Sequence, residues 1–157
     1  DLRAPGRLGV WGESAGGQLA ALLGLRGGVG AAVCWYPATD LPAIAPALGA
    51  DPDATDSREA LLLGGPVTTL TDAAVSASPA RQVPADGATL PAYLLLHGEA
   101  DRMMPTDQSR RLEAALRAAG GDVSLHTYAG ADHMWLGTPD VAADALSRTV
   151  AFFRERL

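Results

Sequence analysis

Leu8-Gly9-Val10-Trp11-Gly12-Glu13-Ser14-Ala15-Gly16-Gly17-Gln18-Leu19-Ala20-Ala21-Leu22-Leu23 is the stretch that decides the fold. A short apolar run ends in Gly12-Glu13-Ser14-Ala15-Gly16, and apolar residues of helical period follow at once (Leu19, Leu22, Leu23). The pattern predicts strand, sharp turn and helix. A serine in such a turn is held in a strained backbone conformation and needs small neighbours on both sides, here Gly12 and Gly16. Its hydroxyl then projects beyond the strand end, and the Ala15 N–H at the start of the helix is free to donate to a developing oxyanion. A G-x-S-x-G pattern arises by chance in a chain with 18 glycines. The strand before it and the helix after it separate this one from chance.

Outward from this turn, Arg26-Gly27-Gly28 stops the helix and Ala31 to Tyr36 is apolar throughout, as in a strand buried on both faces. Residues 37–90 are rich in proline and glycine, with one short helical stretch from Ser57 to Leu63, and are expected to form a lid or pocket wall. Ala92 to His97 is a third strand, and Thr106 is expected to cap the helix after it, along which Leu112, Ala115, Leu116 and Ala119 share a face. Val123 to Tyr128 alternates and makes a fourth strand. Thr138 and Pro139 open a last helix, with Ala142, Ala145, Leu146, Val150 and Phe153 on its apolar stripe. This order predicts a parallel α/β sheet in a single domain over 1–157, with functional groups at the carboxyl ends of the strands.

At those ends stand Ser14, Asp101 and His133, in that chain order. A serine hydroxyl needs an imidazole to take its proton, and the imidazole needs a carboxylate to fix its tautomer. Of the three histidines, His97 closes a strand and His126 lies inside one, so both read as structural; His133, in a polar loop, is the candidate base. Glu99 shares the loop of Asp101 and competes with it as the acid, whereas Asp132 and Asp107 have structural roles open to them. Glu13, Met103, Met104 and Trp135 flank these residues as candidates to line a pocket, with plain packing the other reading.

Composition bounds the rest. With 157 residues, 48% hydrophobic and 19% charged, the chain is long enough for one folded core. A net charge of −6 with no basic cluster argues against nucleic acid, and no apolar run approaches a membrane span. Cys34, the single cysteine, lies in an apolar run and is expected to be buried and inert. Aromatic residues at 5% offer no evident stacking platform for an aromatic ring or a polysaccharide, which favours small substrates.

Gly12-Glu13-Ser14-Ala15-Gly16-Gly17, His97-Gly98-Glu99-Ala100-Asp101 with Pro105, Gly130-Ala131-Asp132-His133 and Ala77-Ser78-Pro79 resemble the carboxylesterases of the α/β-hydrolase superfamily. The resemblance is greatest to the hormone-sensitive-lipase-like group that includes feruloyl and acetylxylan esterases. It implies Ser14 as nucleophile, Asp101 as acid, His133 as base and Ala15 N–H as one oxyanion donor, with no metal or cofactor. Gln18, where these esterases often carry histidine, and Met104, where they often carry valine, depart from the pattern. It further implies the C-terminal part of the parallel sheet, without the N-terminal strands and the His-Gly-Gly loop. The first strand is then expected to be an exposed edge prone to self-association. An acylaminoacyl- or dipeptidyl-peptidase-like hydrolase, and an inactive binding module, are the alternatives to an esterase.

Overall fold

The computed structural model describes residues 8–85 and 90–157; the first seven residues and 86–89, near the end of the proline-rich excursion, lie outside the described residues. Four strands, β1 (Gly9–Glu13), β2 (Ala31–Trp35), β3 (Ala92–Gly98) and β4 (Val123–Tyr128), form one sheet in sequential order, with every pair parallel. The register sets Gly9 beside Ala31, Ala31 beside Ala92 and Tyr93 beside Val123. Three same-sense connections therefore lie behind one face of the sheet.

Helices α1 (Ala15–Arg26) and α6 (Asp107–Ala118) cover that face. Because strand side chains alternate, Ala32, Cys34, Tyr93 and Leu95 meet Ala20, Ala21, Leu112 and Leu116 there. Val33, Trp35, Leu94 and Leu96 point the other way, toward α7 (Pro139–Arg156). Leu95, Leu96, Leu112 and Leu116 are fully buried, each contributing about 2 kcal/mol through the apolar area removed from water. Cys34 lies among Leu95, Leu112 and Leu116, and burial pushes its thiol up to about 12.

Among its described residues the excursion from Pro37 contains four short helices, α2 (Leu41–Leu48), α3 (Arg58–Leu63), α4 (Thr71–Ser76) and α5 (Pro79–Gln82), where the sequence pattern indicates one. Each is shorter than the window over which helical period can be read, and Pro46 sits inside α2. They enclose a small core of their own, with Leu41, Ile44, Val67 and Ala74 packed on Met104. Two anchors tie it to the sheet layer. Gln108 Oε1 accepts from the Thr39 and Asp40 N–H groups at 2.9 and 2.7 Å, and Gln18 Nε2 donates to the Ala77 carbonyl at 2.7 Å. The residue that departs from the esterase pattern, Gln18, thus holds the Ala77-Ser78-Pro79 segment that matches it.

Two helical expectations are corrected. The buried stripe of α7 runs through Val141, Ala142, Ala145, Thr149 and Phe153, while Leu146 and Val150 are exposed. Thr149 Oγ1 is drawn inward because it accepts from Trp35 Nε1 at 3.0 Å and donates to the Ala145 carbonyl. Thr106 makes no side-chain cap; its Oγ1 donates to the Gly98 carbonyl at 2.7 Å and closes the loop between β3 and α6.

Candidate active site

Ser14 lies between β1 and α1 with φ 52 and ψ −119, a conformation that costs a non-glycine residue on the order of 1–3 kcal/mol. The surroundings hold it there: the Ser14 N–H donates to the Trp35 carbonyl at 2.9 Å, and the Ser14 carbonyl accepts from Gln18 N–H at 3.0 Å. The two glycines of the turn differ in what they do. A Cβ on Gly12 would sit 2.1 Å from the Gly16 carbonyl oxygen, whereas one on Gly16 would meet nothing within 4 Å. The tight second position is Gly17, whose Cβ would lie 3.0 Å from the Trp35 carbonyl. Gly12→Ala is therefore expected to cost more than about 2 kcal/mol, since backbone rather than a mobile side chain must yield. Urea unfolding of this variant beside Gly16→Ala measures the difference; the Gly16 change should cost under about 1 kcal/mol.

His133 follows β4 and Asp101 follows β3, and the two loops lie against each other. Ala100 N–H donates to the Ala131 carbonyl at 3.0 Å, an approach so close that a Cβ on Gly98 would lie 2.2 Å from the same oxygen. Met134 and Trp135 both take left-handed backbone (φ 59 and 57), which reverses the chain directly after His133. His133 Nε2 is consequently 3.1 Å from Ser14 Oγ, and its Nδ1 is 2.6 Å from Asp101 Oδ2. Asp101 Oδ1 accepts from Met103 and Met104 N–H at 2.9 and 2.7 Å. Burial raises the Asp101 carboxyl, but the hydrogen bonds from His133, His97 and Met104 N–H outweigh it and hold the group well below the usual carboxylate range. The carboxylate stays charged in a nearly dry site.

The other acids stand apart from this chain of hydrogen bonds. Glu99 is exposed and accepts from Thr127 Oγ1 at 2.7 Å. Asp132 accepts from the His133 N–H at 2.8 Å and pairs with Arg102, and Asp107 pairs with Arg111 one helical turn on. Glu13 accepts from Tyr36 Oη, whose ring packs on the His133 imidazole with centroids 4.5 Å apart. Trp135 is buried against Trp35, Tyr36 and Tyr128, and Trp11 packs on Trp35 at 4.8 Å. This aromatic cluster beside His133 is invisible in a composition of 5% aromatic residues, because its members come from distant parts of the sequence.

A cavity of about 540 Å³ opens beside Ser14 and Ala15. Leu19, Leu41, Leu61, Leu62 and Met104 form apolar walls, and Arg58 and Glu59 add charge. Of the four residues expected from sequence as candidates to line a pocket, Met104 does; Glu13, Met103 and Trp135 are not among its lining residues. The left-handed turn at 134–135 and the aromatic packing place Trp135 in the core instead. The Ala15 N–H is the first of α1 and so has no acceptor within the helix.

Across residues 2–157 the sequence matches the prolyl oligopeptidase family. Over 62 residues it is 45% identical to Esterase LipQ of Mycobacterium tuberculosis, a match covering 39% of this chain and 14% of that protein. Among solved structures, a truncated carbohydrate esterase from gut microbiota superposes with a TM-score of 0.80 at 24% identity, over 94% of this chain and 59% of the other. A puromycin-hydrolyzing peptidase of M. tuberculosis superposes with a TM-score of 0.78 at 27% identity, over 98% of this chain and 22% of the other. In each case the match spans less than two thirds of the relative's length.

Proposed function

The chain belongs to the prolyl oligopeptidase family of α/β-hydrolases, and from that premise we propose that it is a serine hydrolase of small carboxylic esters, working through Ser14, His133 and Asp101. The observation that carries the proposal is the unbroken run of hydrogen bonds from Ser14 Oγ through both nitrogens of His133 to Asp101 Oδ2. Ser14 Oγ attacks the ester carbonyl carbon while His133 Nε2 takes its proton. Negative charge develops on the carbonyl oxygen, to which the Ala15 N–H donates at the positive end of α1. His133 then protonates the departing alcohol oxygen, leaving an acyl group on Ser14. Water, deprotonated by the same nitrogen, releases the acid and restores the serine. Asp101 fixes the imidazole with its hydrogen on Nδ1 and stabilises the imidazolium that forms at each step.

Esters are favoured over peptides by the wall beside Ser14, where apolar side chains dominate and an acyl chain gains roughly 0.8 kcal/mol per buried methylene. A peptidase reading has its own support in the family match and in the peptidase superposed at 27% identity. Turnover of p-nitrophenyl acetate and butyrate against alanine and proline p-nitroanilides separates the two. The expected result is hydrolysis of both esters with the anilides at least about a hundredfold slower, a gap of about 2.7 kcal/mol in the barrier. Anilide turnover equal to that of the esters would favour the peptidase. Absence of labelling by a fluorophosphonate probe would point instead to an inactive binding module.

A further inference from the structure

His97 is the last residue but one of β3, just ahead of the loop that carries Asp101, and its imidazole is wholly buried although no step above uses it. Both ring nitrogens are engaged. Nδ1 lies 2.7 Å from Ser109 Oγ on α6, and Nε2 lies 2.9 Å from the Met104 carbonyl oxygen. A carbonyl only accepts, so Nε2 carries the hydrogen; in the neutral ring Nδ1 is then the acceptor and the Ser109 hydroxyl the donor. Nε2 also stands 3.4 Å from Asp101 Oδ2, the oxygen that His133 Nδ1 meets.

We propose that His97 is a positioning residue for Asp101, with Ser109 setting its tautomer. The inference rests on the reading of Asp101 as the group that orients His133. The carboxylate is pinned at Oδ1 by the Met103 and Met104 N–H groups, and a terminal carboxylate torsion is soft, so Oδ2 could swing about that anchor. His97 limits the swing in two ways. Its Nε2–H holds the Met104 carbonyl and so ties the far end of the loop to the end of β3, and it leans on Oδ2 from within the core. Imidazole suits this place because its neutral form accepts on one side and donates on the other. A serine behind it selects which side does which.

Four variants of the full protein test the proposal. Glutamine reaches far enough to put an amide N–H near the position of Nε2, whereas asparagine reaches only the position of Nδ1. His97→Asn is expected to lower kcat for p-nitrophenyl butyrate about 10- to 100-fold, by analogy with the loss of a residue that orients a metal ligand, with KM within about twofold. His97→Gln should recover kcat to within about fivefold of wild type, and Ser109→Ala should lower it about threefold or more, also at unchanged KM. Asp101→Asn is the reference. If it keeps wild-type turnover, the reading of Asp101 fails. If it is inactive while His97→Asn keeps kcat within twofold, only the positioning role is overturned. Equal kcat in the Asn and Gln variants, with equal losses in melting temperature, would likewise mean that His97 merely fills space. If neither His97 variant folds, Ser109→Ala decides: unchanged kcat overturns the proposal and reduced kcat at unchanged KM supports it.

Discussion

Ser14→Ala is expected to lower ester turnover by at least about a thousandfold, as loss of one member of a group that acts as a unit does. No acyl-enzyme can form without the hydroxyl, and His133 Nε2 loses the proton donor that stands 3.1 Å away. What remains is the apolar cavity and the Ala15 N–H, which on the proposed reading would bind and polarise an ester without attacking it. The fold should be little affected: among the described residues the Ser14 hydroxyl meets only His133, and alanine bears the same backbone strain at φ 52. Turnover of p-nitrophenyl butyrate and labelling by a fluorophosphonate measure the outcome together. More than about a tenth of wild-type turnover, far above the residue left when such a group is broken, would show that another side chain attacks.

For Asp101→Asn the expected loss is about 10⁴-fold in kcat, the effect of reversing the histidine tautomer. The reversal follows from the hydrogen bonds already made. Met103 and Met104 N–H both donate to the Oδ1 position, which therefore keeps the amide oxygen, and the amide nitrogen falls at Oδ2. A donor there faces His133 Nδ1, so Nδ1 must accept and the hydrogen moves to Nε2, where it blocks uptake of the Ser14 proton. Glu99→Gln should leave kcat within about threefold, a surface-scale effect, because Glu99 meets Thr127 rather than His133. A larger loss from Glu99→Gln than from Asp101→Asn would exchange the two roles. The carboxyl of Asp101 also bears on acid stability. Its folded pKa is depressed, so its ionised form stabilises the fold above the ordinary value of 3.8, and that contribution is lost as the pH falls below it. The Asn variant should accordingly show a shallower decline of stability in that acid range.

Much of this arrangement is legible in the sequence because a parallel sheet writes itself plainly. Ala31 to Trp35 and Ala92 to Gly98 are buried along their whole length, so they appear as unbroken apolar runs, and the polar loops after the strands fall at one edge. Ser14, Asp101 and His133 each follow a strand and so share that edge. What stayed hidden depends on contacts between distant parts of the chain. The short helices of the excursion are held by Gln108, Gln18 and Ser78 rather than by a periodic stripe. The rotation of α7 follows from one Trp35 to Thr149 hydrogen bond. The surplus freedom at Gly16 appears only when the direction of its Cβ is known.

The clustering of aromatic rings beside His133 has an optical consequence. The chain has three tryptophans, and all of them fall in that one cluster: Trp11 against Trp35 at 4.8 Å, and Trp35 against Trp135 at 5.7 Å. At such separations indole transitions couple, so near-ultraviolet dichroism and intrinsic emission both report on this one corner of the molecule. Tyr36 joins the cluster to the imidazole, touching Trp135 at 4.9 Å and His133 at 4.5 Å. The proposed acylation of Ser14, or a change in the histidine ring, is therefore expected to register in native fluorescence, without a dye and without a chromogenic substrate.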